Sequence, residues 1–335
     1  MGFRAAPHPD RALGSSLPRL LALQRHVFGA LLVLGLAALS SPPLFATDEL
    51  DPTEPSLLPV PDLLRPAPAP VRNEAKISGG CAAAPLPSMP DPLPFGPGEL
   101  LTYDVTFLGL RTGSVAVRVA DHAETVDATS VYPIYAHAKT SGFLSVLGTL
   151  DGRMVSYLDA GTVTPVRMAN RFLISTFGQK DVVAREDAAF AGPAVNAQLS
   201  YRWSDGRHHK RPARLKSTSD LVDVLSVLYY MRSRAFERES AFCFEIYHRR
   251  RLWRVEGTVG PVEVVSAPWG TRSARRSQGV LRKLGGGTEP RQVTAWVSND
   301  ADRLPLLVET PDGIGTLAVR LTHFSRGRRM VRARP

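Results

Sequence analysis

The carboxylates that could do chemistry in this chain lie in two short polar stretches of similar pattern. Asp159 follows an aromatic, β-branched run and leads to Pro165, and Asp300 with Asp302 leads to Pro305 in the same way. Neighbouring aspartates could bind calcium or act as an acid and base pair. An aspartate between two apolar runs, followed by a proline, is also the pattern of an Asx-type turn between strands. Backbone capping is the simpler role for these aspartates.

Two adjacent histidines, His208 and His209, are the other candidates for a metal site. Neighbouring residues on a strand point to opposite faces, and Lys210 and Arg211 would repel a cation, so a solvated loop is favoured. The chain contains no nucleophile elbow, phosphate loop, dinucleotide-binding glycine pattern or paired metal-binding motif. The sequence therefore predicts a protein that is not an enzyme, with no catalytic, cofactor-binding or metal-binding residues.

The N-terminal residues 1–47 have the composition of a signal peptide or an uncleaved signal anchor. Four arginines precede an uncharged run whose apolar centre is Val27–Leu39. The positive charge before this run predicts that the rest of the chain lies outside the cytoplasm, in the periplasm or cell envelope. A short apolar helix in a soluble protein is the alternative.

The charge of the chain suggests acidic partners. Its 41 Lys and Arg residues exceed its 31 Asp and Glu residues by ten. Export argues against nucleic acid, so lipid, a lipoprotein or an acidic glycan of the envelope remains, with membrane proximity expected. The cations form four clusters, at 207–216, 248–254, 272–283 and in the tail 326–335. Solubilising charge scattered over loops is the simpler interpretation of these clusters.

The chain has two cysteines, Cys81 and Cys243. An oxidising compartment would allow them to form a disulfide. Cys243 lies in an apolar, strand-like run, where a buried free cysteine is the simpler interpretation.

The composition and residue pattern of the chain change at residue 96. Residues 48–95 are rich in proline and alanine and predict a disordered linker. Residues 96–325 show repeated two-residue alternation, which predicts β-strands, and one helix near 219–233 with Asp220 as its N-cap. The predicted fold is mainly β (α+β): a curved antiparallel sheet or half-open β-barrel with one central helix.

Four groups of segments form a recognisable pattern: Gly98–Tyr103 with Gly109 and Gly113, Asp151–Pro165, Asp223–Arg232, and Trp296–Pro305 with Gly315. Together they resemble DUF3108, a bacterial envelope family of unknown function. The chain departs from the family pattern at 267–271 and in the arginine-rich stretch that follows. The strand, turn and proline pattern more weakly resembles the periplasmic lipoprotein carriers of the LolA/LolB type. That resemblance implies a half-barrel that holds acyl chains beneath a helix.

Two functions are consistent with these features. The first is binding of a hydrophobic or amphipathic envelope molecule between the sheet and the helix. The second is a structural or assembly scaffold that holds acidic polysaccharide or a partner protein through a basic face. For the first, alternation and aromatic placement predict the lining residues Tyr103, Phe107, Tyr157, Leu225, Tyr229 and Trp296. A filled core requires the same alternation, and it is the simpler interpretation of these residues.

Overall fold

The computed structural model describes residue 81 and residues 89–146, 148–177, 181–234, 239–286, 289–312 and 315–328. Most of these residues are in strands, which confirms the mainly β prediction. The helix α1 spans Ser226–Arg232, and a 3₁₀ turn spans Gly142–Val146. The strands are β1 (Leu100–Phe107), β2 (Leu110–Val119), β3 (Glu124–Val126), β4 (Thr129–Thr140), β5 (Gly148–Asp159), β6 (Pro165–Thr176), β7 (Val182–Ala191), β8 (Ala194–Trp203), β9 (His208–Lys216), β10 (Leu221–Asp223), β11 (Ala241–His248), β12 (Arg251–Ala267), β13 (Gly270–Lys283), β14 (Arg291–Ser298), β15 (Pro305–Asp312) and β16 (Gly315–Ser325).

All of these strands belong to one sheet. Its order is β10-β11-β12-β13-β14-β15-β16-β1-β2-β4-β5-β6-β7-β8-β9, and β3 pairs with β4. The pairs are antiparallel, apart from the short parallel pair of β10 with β11. Successive strands therefore alternate in direction, and the connections between them lie alternately at two opposite ends of the sheet.

The sheet curves until its two halves face each other. The Tyr247 hydroxyl on β11 donates a hydrogen bond of 2.9 Å to Glu186 on β7, and Arg249 after β11 donates one of 2.9 Å to the Tyr201 hydroxyl on β8. The edge strands β9 and β10 are not paired with each other. The predicted curved sheet is thus confirmed. Its two halves are joined by side-chain hydrogen bonds, and its edge strands are not joined by backbone hydrogen bonds.

Alternation along the central strands separates the interior from the outer face. On β1, the side chains of Leu101, Tyr103, Val105 and Phe107 are buried, whereas those between them are partly exposed. The main core joins these residues to apolar side chains of β2, β4, β5, β15, β16 and α1. This period-two burial is what the sequence pattern predicts for a sheet with one face toward a core.

The helix is shorter than the predicted span 219–233. Leu221–Asp223 form β10 instead of a first helical turn, and Asp220 is not the N-cap. The Asp223 carboxylate accepts hydrogen bonds from the backbone N–H groups of Leu225 (2.7 Å) and Ser226 (2.9 Å), which ends the strand and starts the helix. Both faces of β10 are buried. Leu221 therefore fits a buried strand as well as the apolar face of the predicted helix.

The folded domain begins before the predicted boundary at residue 96. Within the linker predicted at 48–95, Leu93 and Phe95 are 0% and 3% exposed, and the Phe95 ring lies edge-on to Tyr229 at 4.8 Å between centroids. Proline content indicates an extended backbone, but it does not prevent the apolar residues between the prolines from packing. The predicted signal segment 1–47 lies outside the described residues. In the basic tail, the N–H of Arg328 bonds to the carbonyl of Pro97 (2.9 Å).

Cys81 and Cys243 form a disulfide, with their Cα atoms 5.6 Å apart. The bond attaches residue 81 to β11 near the start of the strand. Cys243 is therefore half-buried and oxidised, and the free buried cysteine left open by the sequence is not what the structure contains. Within the described ranges, no helix has the length and apolar character needed to span a bilayer.

Candidate functional site

The two aspartate turns cap backbone, and they do not form a joint carboxylate site. Asp159 accepts hydrogen bonds from the N–H groups of Gly161 (2.8 Å) and Thr162 (2.7 Å). Asp300 accepts them from Asp302 (3.0 Å) and Arg303 (3.2 Å) in the same geometry. Each carboxylate is used by its own turn.

The adjacent histidines are both exposed, and they point to opposite faces of the edge strand β9. The Nε2 atom of His209 accepts a hydrogen bond of 2.6 Å from Nε of Arg211, which leaves no metal-binding arrangement there. In the part of the chain that the structure describes, no three His, Cys, Asp or Glu side chains gather as metal ligands.

The structure brings four of the six predicted lining residues together. Tyr103, Phe107, Leu225 and Tyr229 are all buried members of the main core. Trp296 is half-buried at the margin of this core, and its indole N–H donates a 2.9 Å hydrogen bond to Glu263.

Tyr157 lies apart from this group. Its neighbours Ser156 and Leu158 on β5 point inward and are buried, so alternation places Tyr157 on the opposite face of the sheet. There it is half-exposed, and its pKa is raised by burial and then by the charge of Glu124.

A buried ion pair lies beside the core, between Arg232 at the end of α1 and Glu99 just before β1. The side-chain exposures are 0% and 1%, and the guanidinium is bidentate to the carboxylate at 2.6 and 2.8 Å. Burial alone lowers the pKa of Arg232, but the Glu99 carboxylate outweighs it, so this pKa is raised. Arg232 is therefore held in its charged form.

Arg232 also closes this end of the core. It donates hydrogen bonds to the carbonyls of Pro94 (3.0 Å) and Asp302 (3.0 Å), and its guanidinium lies 5.5 Å from the Phe95 ring centroid. We call this end, formed by α1, residues 89–99 and the 299–304 turn, the helix end. Next to it, the buried Tyr103 hydroxyl makes no hydrogen bond to the described residues, and burial raises its pKa.

The opposite end of the sheet carries exposed apolar side chains. We call it the hairpin rim; it is formed by the connections β1–β2, β4–β5, β6–β7, β8–β9, β11–β12, β13–β14 and β15–β16. Leu108 and Leu110 flank the β1–β2 turn and are 54% and 52% exposed, while Val146 and Phe177, in the β4–β5 and β6–β7 connections, are 75% and 79% exposed. Neighbouring strand ends therefore share an apolar stretch of rim.

A second stretch of the hairpin rim is cationic. The β11–β12 turn carries Arg249 and Arg250, and the start of β9 carries His209 and Arg211. The hydrogen bonds of Arg249 to Tyr201 (2.9 Å) and of Arg250 to the carbonyl of Pro212 (3.0 Å) bring the two connections together. Two basic clusters that are separate in the sequence thus form one surface.

One buried carboxyl was not anticipated from the sequence. Glu186 is 2% exposed, and its carboxyl is bonded by the Tyr247 hydroxyl (2.9 Å) and the Asn170 amide (3.5 Å). Burial raises its pKa, which the hydrogen bonds from Tyr247 and Asn170 only partly oppose. A charged residue in an otherwise apolar alternation was the available signal, at Ala184, Glu186 and Ala188 on β7.

The fold and these sites define a curved, mainly antiparallel β protein with one short helix and apolar and cationic surfaces on one rim. The sequence pattern of DUF3108, a family of proteins of unknown function, matches residues 102–322, which is more than half of the chain. The chain belongs to this family, as the sequence segments predicted.

The solved structures that the chain matches share little sequence with it. A β-barrel-like protein of the unknown-function family DUF1849 from Brucella abortus is 10% identical, with a TM-score of 0.43, over 73% of this chain and 100% of its own. A candidate lipoprotein from Parabacteroides distasonis is 8% identical, with a TM-score of 0.28, over 70% and 100% of the two chains. A candidate exported protein with a YmcC-like fold from Bacteroides fragilis is 8% identical, with a TM-score of 0.27, over 70% and 99%. A search of curated proteins gives no match.

Proposed function

We propose that this protein is a non-catalytic binding module of the cell envelope that takes up the acyl chain of an amphipathic molecule through the hairpin rim. The observation that carries this proposal is the exposed apolar stretch of the rim. Isolated apolar residues on a surface need no explanation, but a contiguous group of them is typical of a binding or membrane-contact site. Here Leu108, Leu110, Val146 and Phe177 lie on neighbouring strand ends.

The inner face of the sheet behind this rim is apolar. Phe107 lies at the rim end of β1, and Tyr103 lies further in, on the same buried face. The helix end is closed by the Arg232–Glu99 pair and by Phe95, so the rim is the side from which a guest would enter. A curved sheet with an inward apolar face is a common framework for holding such ligands.

An extracytoplasmic location supports the proposal. The Cys81–Cys243 disulfide fits an oxidising compartment, where such bonds persist. The basic and apolar N-terminal sequence is of the kind that directs export. Both features are consistent with a protein located in the compartment that contains envelope lipids.

The test is acyl-chain binding by the full chain. The protein is extracted from envelope membranes in mild detergent and examined by native mass spectrometry for bound lipid, and the purified protein is titrated with a fluorescent fatty acid. Val146→Ser and Phe177→Ser should each weaken probe binding by about threefold or more, since each removes an apolar contact of order 1 kcal/mol. Val264→Ser is the matched control, because Val264 is 76% exposed on β12, away from the rim.

Binding of the probe by the wild type, weakened by the rim substitutions and unchanged by Val264→Ser, would support the proposal. Protein that carries no lipid from the membrane and binds no probe would refute it. Equal losses in the rim variants and in the control would place the acyl chain elsewhere on the surface.

A further inference from the structure

The turn between β11 and β12 has an unusual composition for its geometry. His248 pairs with Arg251 across a two-residue turn, and the turn residues Arg249 and Arg250 have φ angles of +46° and +65°. Two-residue hairpins with positive φ at both positions strongly favour Asn-Gly, because a larger side chain strains this backbone. Two arginines here break the local rule. Such departures concentrate at functional positions.

Strand alternation places further polar groups on the same side. Leu199 on β8 points inward, so its cross-strand partner Arg211 on β9 does too, and so does the pair Tyr201 and His209. Arg249 bonds to the Tyr201 hydroxyl, and its guanidinium lies 6.0 Å from the centre of that ring. The inward face of β8 and β9 and the β11–β12 turn therefore enclose one region of the hairpin rim.

The cations in this region crowd one another. Burial lowers the pKa of Arg250, and the nearby Arg211 lowers it further. Among the described residues, no carboxylate forms an ion pair with Arg211, Arg249 or Arg250. The buried Glu186 lies close enough for Arg249 to act on its charge, but its oxygens are bonded to Tyr247 and Asn170. The positive charge of the cluster is thus left for an external anion.

We propose that Arg211, Arg249 and Arg250 bind a phosphate group of an anionic ligand. Guanidinium groups bind phosphate oxygens through paired N–H donors, and several of them at one point make a strong anion site. The Tyr201 hydroxyl lies beside Arg249 as a further polar group. This inference goes beyond acyl-chain binding, and the two can hold or fail separately.

The position of the site favours a lipid headgroup as the source of the phosphate. The cationic cluster shares the hairpin rim with the exposed apolar residues, and basic and apolar groups on one surface suit an anionic lipid at a membrane. Inorganic pyrophosphate offers the same phosphate chemistry without the lipid, so it serves as the comparison.

The decisive variant is the double substitution Arg249→Asn with Arg250→Gly. It removes both guanidinium groups while installing the residue pair that the turn geometry prefers, so the hairpin should still form. The matched control is Arg202→Gln with Lys210→Gln. Arg202 lies on β8 and Lys210 on β9; both are exposed and point to the face opposite Tyr201 and Arg211. The control removes two positive charges, as the Asn-Gly variant does.

Binding is measured by calorimetry with pyrophosphate, and by co-sedimentation with vesicles that contain phosphatidylglycerol, at a fixed near-physiological salt concentration. The Asn-Gly variant should bind at least about tenfold more weakly in both assays, because charge-assisted phosphate contacts are lost. The control should change binding by less than about twofold, since exposed charges are screened. Binding to vesicles alone would assign the phosphate to a lipid headgroup, and binding to both would assign it to phosphate in general.

Three results would overturn the proposal. Wild-type protein could fail to bind either probe. The control could lose as much binding as the Asn-Gly variant, which would mean attraction to net charge and no defined site. The protein could instead bind a carboxylate-rich polysaccharide and neither phosphate probe, which would favour a glycan scaffold.

Discussion

Arg232 and Glu99 form a bidentate ion pair that is completely enclosed, although 133 positions separate them in the sequence. The pair connects the C-terminus of α1 to the residue before β1. Because Arg232 also bonds to the carbonyls of Pro94 and Asp302, one guanidinium holds three separate segments at the helix end. This arrangement determines how the short helix sits against the sheet.

Breaking this pair should destabilise the fold strongly. Arg232→Met or Glu99→Met alone leaves a buried charge without its partner, which costs about 3–5 kcal/mol. The double variant removes both charges, so it should cost clearly less than the sum of the two. Urea unfolding of the four proteins at neutral pH gives the coupling free energy.

The exposed pair Arg118–Asp121 is the control for this cycle, with side chains 54% and 51% exposed. Its removal should cost less than about 1 kcal/mol, because solvent screens the pair. If the two substitutions at Arg232 and Glu99 were additive, the buried pair would not be a coupled unit.

The sequence could predict the features that are local. The alternation of β1, the capping roles of Asp159 and Asp300 and the family segments all depend on residues a few positions apart. The start of α1 was misjudged, because the buried strand β10 and a helix face share an apolar pattern. The pair of Arg232 with Glu99 leaves no local signal at all.

The cationic surface also could not be predicted from local sequence. Its members were visible as two basic clusters, but only the curvature of the sheet brings Arg249 to Tyr201. Curvature results from the combined twist of many strands, which no short segment encodes. One predicted lining residue lies outside the interior for a related reason. Tyr157 is an aromatic residue of the expected type, but it lies on the opposite face of β5 from the buried Leu158.

The stability of each aspartate turn should depend on one carboxylate oxygen, which accepts both backbone hydrogen bonds. Asp159→Ala removes the acceptor for the N–H groups of Gly161 and Thr162, and we expect a loss of about 1 kcal/mol, as at other side-chain caps. Asp159→Asn keeps an oxygen in the same place, so it should cost much less. Thermal unfolding of both variants makes the comparison, and an equally large loss with Asn would show that the charge, rather than the cap, matters.

The disulfide should stabilise the protein by restricting the unfolded chain. It closes a loop with a sequence separation of 162 residues, for which loop-closure entropy gives about 5 kcal/mol. Cys81→Ser combined with Cys243→Ser should lower the free energy of unfolding by up to this amount. A reductant should destabilise the wild type to a similar degree and leave the variant unchanged. Two titratable thiols in denatured, unreduced protein would contradict the bond.

The buried carboxyl of Glu186 should make stability depend on pH. Burial raises its pKa in the folded state above the ordinary value of 4.5, so the folded protein holds a proton that the unfolded chain has lost. The stabilising contribution of this proton is fully present below pH 4.5, and it is lost as the pH rises through the folded-state pKa. The wild type should therefore lose stability from this group between acidic and neutral pH.

Glu186→Gln removes that dependence and keeps an oxygen that can accept the Tyr247 hydrogen bond. The variant should gain stability relative to the wild type as the pH rises from 4.5 to neutrality, measured by urea unfolding at several pH values. Glu289→Gln, at an exposed position before β14, is the control and should show no such gain. A difference between Glu186→Gln and wild type that stays constant with pH would mean that Glu186 keeps an ordinary pKa despite its burial, because the hydrogen bonds of Tyr247 and Asn170 fully compensate for the lost solvent.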